Sequence, residues 1–204
     1  YKYIPYQSLY SRIETIDVLE AGTFEGYANR DSLGYREAYD LLNIPTIFRG
    51  TLRRPGYCEA WNVFVQLGMT DDTYHVSGLS KMTWRDFINS FLVFDQMKTV
   101  EEKVQSYLSL SDEVMSKLRW LGIFEKESVG LDEGTPAQVL QKLLEIKWSL
   151  EADDKDMILM QHQFHYRLKG EEKCLHSSLV LEGKDQIHTA MSMTVGLPVA
   201  IATK

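Results

Sequence analysis

Four arginines, Arg30, Arg36, Arg49 and Arg53, fall between Gly26 and Arg53 among glycines and small polar residues, in a chain of formal net charge -7. A guanidinium presents a rigid fork of N–H donors that matches a carboxylate with two parallel hydrogen bonds. An acidic protein repels anions through its overall field, so holding a polycarboxylate requires local clamps of this kind. The pattern points to an amino-acid-like substrate gripped by its carboxylates. Structural pairing competes with that reading: Arg30 with Asp31 or another acid, Arg49 and Arg53 with Glu20 or Glu25. Arg36 and Arg54 read as surface residues.

Other chemistry is weakly signalled. The sequence has no G-x-G-x-x-G turn for a dinucleotide, no P-loop lysine motif and no G-x-S-x-G elbow. Of the histidines, His162 falls on the apolar face of its strand and His165 on the polar face, so that strand cannot offer both to one metal. His162 reads as a hydrogen-bonded core histidine, His75 as a loop residue, and His176 and His188 as residues without recognisable partners. No spacing supplies the roughly four converging ligands of a zinc site, so no metal is expected. Asp153, Asp154 and Asp156, like Glu101 and Glu102, read as solvated charge. Met157, Met160, Met191 and Met193 read as core gap-fillers.

Bulk properties narrow the class. The 204 residues, 44% hydrophobic and 25% charged, suit a globular chain with a substantial core. A pI near 5.3 without a basic stripe argues against nucleic acid. No apolar run reaches the ~20 residues that span a bilayer, and no signal-peptide pattern opens the chain. Cys58 and Cys174, far apart, read as buried free thiols in a reducing cytosol. Cytoplasmic placement is therefore expected. The start at Tyr1 and the apolar close "GLPVAIATK", with Pro198 placed as a kink, suggest a piece of a longer protein.

The elements that would position the arginines follow from periodicity. "RIETIDVLEAGTFEGY" predicts strand and turn, and Ser32 could cap a short helix from about Gly34 to Leu42. "TIFRGTLR" predicts a strand with Phe48, Gly50 and Leu52 on one face and Arg49, Thr51 and Arg53 on the other. The middle third is helical: "GYCEAWNVFVQLG" closes at Gly68, and Thr83, Ser111 and Thr135 are N-caps, with Pro136 in the first helical position. "MILMQHQFHYRLKGEEKCLHSSLVLEG" alternates with period 2 around a turn at Lys169–Glu172, and a last helix begins near Gln186. The order β, helices, β predicts an α+β fold: a mixed-sheet domain interrupted by a helical insertion.

"FEGYANRDSLGYREAYDL", "RGTLRRPGYCEAW", "DMILMQHQF" and "SMTVGLPVAIATK" together resemble the L-glutamate-forming saccharopine dehydrogenase family almost from end to end. The resemblance implies a substrate domain like the second domain of glyceraldehyde-3-phosphate dehydrogenase, in residues 1–55 and 153–204, with an all-helical insertion at 56–152. It implies that the Rossmann domain, and with it the NADP or NAD site, is absent here. It further implies interconversion of saccharopine, NAD(P)+ and water with L-glutamate, 2-aminoadipate 6-semialdehyde and NAD(P)H in lysine metabolism. The substrate contacts it implies are Arg30 of "NRD" and Thr51, Leu52 and Arg53 of "TLR". It places no catalytic residue in this chain, which alone should be inactive. Implied partners are the small-molecule substrate and the chain's own Rossmann domain, with homodimerisation a further candidate. Ala28 departs from a frequent proline, and Arg54-Pro55 from a frequent aromatic–basic pair. A non-catalytic relative serving as an amino-acid-binding or dimerisation module is the alternative.

Overall fold

The computed structural model describes residues 3–29 and 31–204. They divide into two compact units, residues 3–14 with 25–29 and 31–149, and residues 15–24 with 150–204. Strands β1 (Glu14–Val18), β2 (Gly22–Ala28) and β3 (Gly50–Arg53) follow one another in the order β1-β2-β3.

In the first unit β2 and β3 run antiparallel, with Glu25 opposite Arg53, Tyr27 opposite Thr51 and Ala28 opposite Gly50. Gly50 is required by this approach: a Cβ there would lie 2.9 Å from the Tyr27 carbonyl oxygen. The strand begins later than its alternation predicts. Phe48 is exposed, and the Arg49 N–H is taken by the Ser32 hydroxyl. Ser32 is thereby diverted from helix capping, and the predicted helix shrinks to α1 (Tyr35–Ala38). The chain then turns through Asp40 at φ 55, with the Leu41 N–H on the Arg36 carbonyl. Arg36 is half-buried, contrary to its reading as a surface residue, because its guanidinium donates to the Ile44 carbonyl and closes that loop.

Helices α2 (Tyr57–Leu67), α3 (Trp84–Asn89), α4 (Val100–Leu108), α5 (Asp112–Leu121) and α6 (Pro136–Trp148), with the small ladder β4 (Val76–Ser77) and β5 (Glu133–Gly134), build one apolar core. Phe87, Met69, Leu79, Ile88 and Met115 are fully buried in it. The caps fall where the sequence puts them. Thr83 and Thr135 form capping boxes with Asp86 and Gln138, Ser111 caps α5, and Gly68 and Gly122 close α2 and α5 in the left-handed region. Helix α4 is absent from the sequence reading, although Thr99 and Glu102 form its capping box.

Glu101 and Glu102 are accordingly not simple solvated charge. Glu102 closes that box, and Glu101 pairs with both terminal nitrogens of Arg85 at 2.8 and 2.5 Å, while Arg85 also donates to the Phe124 carbonyl at 3.2 Å. The Arg85 hydrogen bond holds the Glu101 carboxyl below its usual range. A depressed folded-state pKa contributes stability above the unfolded value of 4.5 that is lost as pH falls through the folded one. Glu101→Gln should therefore lower stability at pH 7 by about 1–2 kcal/mol, allowing for solvent screening. The deficit should fade on acidification. Urea-unfolding midpoints across pH measure it, and a deficit that persists in acid would exclude the ion pair as its source.

In the second unit, residues 15–24 carry β1 and the start of β2, where the Thr23 hydroxyl donates to Asp17 at 2.7 Å. Strands β6 (Met157–Leu168) and β7 (Glu171–Glu182) make a long hairpin turned by Lys169 and Gly170, both at positive φ. Gln161 Nε2 donates to the Asp17 carbonyl at 3.2 Å. Alternation separates Met160, Phe164, Leu175 and Leu179 from Gln161, His165, Cys174 and His176, as predicted, and from His162 onward both faces of β6 are exposed, whereas Met157, Ile158 and Leu159 are half-buried. His162 is therefore exposed and stacked on Phe164 at 6.0 Å, not a core histidine. Met160 and Met191 are likewise exposed, and Cys174 is exposed, with its sulfur 3.2 Å from His176 Nε2 and 3.8 Å from His165 Nε2.

The last helix, α7 (Ala190–Ala202), carries Pro198 inside it and starts later than predicted. Its N-terminus is held by Thr189 and by Asp156, whose carboxylate accepts the Ala190 and Met191 N–H groups at 2.7 and 2.9 Å. Asp156 thus caps a helix and is not part of a solvated cluster. His188 has a partner after all: its Nδ1 lies 3.0 Å from Asp185, whose carboxyl is drawn down to about 2, chiefly by the His188 backbone N–H. Among the described residues no helix is long and apolar enough to cross a membrane, and no group of three His, Cys, Asp or Glu side chains is placed to hold a metal ion.

Candidate functional site

Of the predicted clamp residues, Thr51, Leu52 and Arg53 lie where β3 runs out toward α2. Thr51 and Leu52 are half-buried and Arg53 is exposed. Thr51 and Arg53 share one side of the strand by alternation. The Thr51 hydroxyl accepts from Asn29 Nδ2 at 2.9 Å, and the Asn29 N–H donates to the Arg49 carbonyl at 2.9 Å. The end of β2 is thereby tied to β3 just before Arg30, which itself lies outside the described residues.

The competing acids are resolved for Arg53. Glu25 stands opposite it in register, yet its carboxylate turns to α2 and accepts the Gly56 N–H at 2.6 Å and the Cys58 N–H at 2.9 Å. A carboxylate at a helix N-terminus satisfies orphan N–H donors and complements the dipole. Among the described residues neither Arg53 nor Arg49 forms an ion pair. Arg53 Nη1 donates to the Leu52 carbonyl at 3.0 Å, and its Cζ lies 5.3 Å from the centroid of the Tyr57 ring. Arg49 lies similarly over Tyr35, at 5.1 Å.

The exit from the strand is ordered by a turn in which the Tyr57 N–H donates to the Arg54 carbonyl, with Gly56 at φ 82. That left-handed residue, where L side chains are strained, lets Tyr57 start α2 directly beneath Arg53. Tyr57 in turn stacks on Trp61, 5.8 Å apart and 9° from parallel, and Trp61 meets Trp148 and Tyr10. Burial pushes the Tyr57 phenol up, opposed by the Arg53 hydrogen bond, so it stays protonated near neutrality. Burial, reinforced by Glu25, raises the Cys58 thiol to about 12, which leaves it a packing group and not a nucleophile. Asn29 and Tyr57 were not singled out in the sequence, and Glu25 was named there only as a possible partner of Arg49 or Arg53. The glycine before an apolar-periodic helix, three residues after Arg53, was the available hint for Tyr57.

Other features fit a carboxylate ligand or a cofactor poorly. A cleft of about 450 Å³ lined by Gln7, Glu59, Asn62, Gln66 and Ser109 carries an acid and no cation. A dinucleotide needs free N–H groups at a helix N-terminus following a glycine-rich turn. Here the first N–H groups of α2 are filled by Glu25 and those of α7 by Asp156. Neither of these two helix N-termini is free to take a dinucleotide phosphate.

The architecture defines a class: a mixed α/β chain with small sheets and a helical core, with an exposed arginine at a strand end that forms no ion pair among the described residues. Within that class the chain belongs to the saccharopine dehydrogenase C-terminal domain family, which matches residues 1–204. It is similar to the mitochondrial alpha-aminoadipic semialdehyde synthase of Rattus norvegicus, with 32% identity over 97% of this chain and 22% of the relative. It is also similar to the saccharopine dehydrogenase [NADP(+), L-glutamate-forming] of Schizosaccharomyces pombe, with 29% identity over 89% of this chain and 42% of the relative. The solved apo saccharopine dehydrogenase (L-Glu forming) of Saccharomyces cerevisiae superposes with a TM-score of 0.81 at 28% identity, over 96% of this chain and 45% of that one. The chain thus spans less than half the length of these relatives.

Proposed function

We propose that this chain is the substrate-binding part of an oxidoreductase of lysine metabolism. The whole protein interconverts saccharopine, NAD(P)+ and water with L-glutamate, 2-aminoadipate 6-semialdehyde and NAD(P)H. Residues 1–55 and 153–204 act as a substrate domain of the glyceraldehyde-3-phosphate dehydrogenase type, and residues 56–152 as a helical insertion and a candidate dimer contact. The nicotinamide, NADP or NAD, is held by a Rossmann domain outside these residues. The clamp is Arg30, Thr51, Leu52 and Arg53. The observation that carries the reading is that Arg53 reaches the surface with its register partner Glu25 engaged elsewhere. The fork is left available for a ligand carboxylate, where a charge-assisted bond contributes about 1.5–3 kcal/mol.

The test is turnover. The full-length protein containing this chain should reduce a nicotinamide in the presence of saccharopine, and residues 1–204 alone should not. Absence of reduction with both NAD+ and NADP+, in a folded full-length protein, would refute the enzymatic reading and favour a binding module.

A further inference from the structure

Arg53 is a long, flexible side chain at the surface, and such a group clamps well only if its guanidinium is already oriented. Three features of the first unit supply that orientation. The Glu25 carboxylate, the nearest competing acid by register, is fastened to the Gly56 and Cys58 N–H groups. The same two bonds fix the first turn of α2, and therefore the Tyr57 ring. That ring lies 5.3 Å from the Arg53 Cζ and is itself stacked on Trp61. A ring face attracts a cation through its quadrupole. A guanidinium resting on a ring keeps its N–H donors, which lie in its own plane, directed outward to a carboxylate.

We propose that Tyr57 is a positioning residue for Arg53: its ring, backed by Trp61 and set by the Glu25 cap, holds the guanidinium ready for a substrate carboxylate. The proposal rests on the clamp reading above. Tyr57 acts through Arg53 and need not touch substrate. The Tyr57 hydroxyl also takes a hydrogen bond from Arg53, and the ring face is assigned the larger share of the effect.

The experiment uses the full-length enzyme, with steady-state kinetics for saccharopine and for the nicotinamide. Tyr57→Leu should raise the saccharopine KM about fivefold, equal to about 1 kcal/mol at 1.4 kcal/mol per decade, with kcat and the nicotinamide KM unchanged. Tyr57→Phe, which keeps the ring and loses only the hydroxyl's hydrogen bond with Arg53, should raise KM by less than Tyr57→Leu does. In an Arg53→Ala background Tyr57→Leu should add nothing, since the two groups act as one unit. Should Tyr57→Leu fail to fold, pentafluorophenylalanine at this position keeps the shape of Phe but removes the attractive ring face. It should then raise KM relative to Tyr57→Phe. A Tyr57→Leu penalty undiminished without Arg53, or an unchanged KM in both ring-face variants, overturns the proposal. If Arg53→Ala itself leaves the KM unchanged, the clamp reading fails first, and that outcome is distinct from a failure confined to Tyr57.

Discussion

Arg53→Ala in the full-length enzyme is expected to raise the KM for saccharopine about 30- to 150-fold and to leave the KM for the nicotinamide unaltered. The change deletes a fork of charge-assisted hydrogen bonds, here assigned about 2–3 kcal/mol, and each 1.36 kcal/mol is a factor of ten. The folded state should not suffer, because Arg53 is exposed and forms no ion pair among the described residues. Arg53→Lys restores the charge but not the planar fork, so it should recover only part of the loss. Equal steady-state constants for wild type and Arg53→Ala would remove Arg53 from the site.

The largest effect on stability is expected at Phe87. Its ring is wholly buried among the helices and meets Phe91 edge to face at a centroid separation of 5.1 Å. Phe87→Ala removes that buried area and leaves a cavity that close-packed neighbours fill only partly, a cost of about 3–5 kcal/mol. The helical core has several such fully buried side chains, Met69, Leu79, Ile88 and Met115 among them, so the loss spreads through one cooperative cluster. Denaturant unfolding of the full-length protein, followed by tryptophan fluorescence, measures it. Trp84 and Trp61 belong to or pack against the same cluster. A loss below about 1 kcal/mol would show that the site collapses around the cavity.

Local signals were legible in the sequence wherever a short-range device decides the structure. Thr83, Ser111 and Thr135 cap helices because a side-chain oxygen meets an N–H three residues on, and Gly68 and Gly122 end them because only glycine is unstrained there. The β6–β7 alternation was legible for the same reason. Asp156 and Glu25 were misread or overlooked because their partners lie 34 and 31 residues away, at the starts of α7 and α2. No window of neighbouring residues contains that information. Arg36 and Ser32 likewise answer to the loop at Ile44 and to Arg49, not to their own helix. At the candidate site the sequence indicated the fork, Thr51 and Arg53, but not the ring beneath it.

The turn at Lys169–Gly170 fixes more than the reversal of the chain. With two residues in the bend, each side chain from Met157 to Leu168 is locked to a mate whose number sums with its own to a constant, as Met157 with Glu182 and Leu168 with Glu171. Parity alone then decides which surface a residue decorates. An indel of one residue in either strand would swap the face of Met160 and Phe164 with the face of Gln161 and His165 beyond that point, whereas one of two residues would preserve them. Length change in this ribbon is thus tolerable only in even steps.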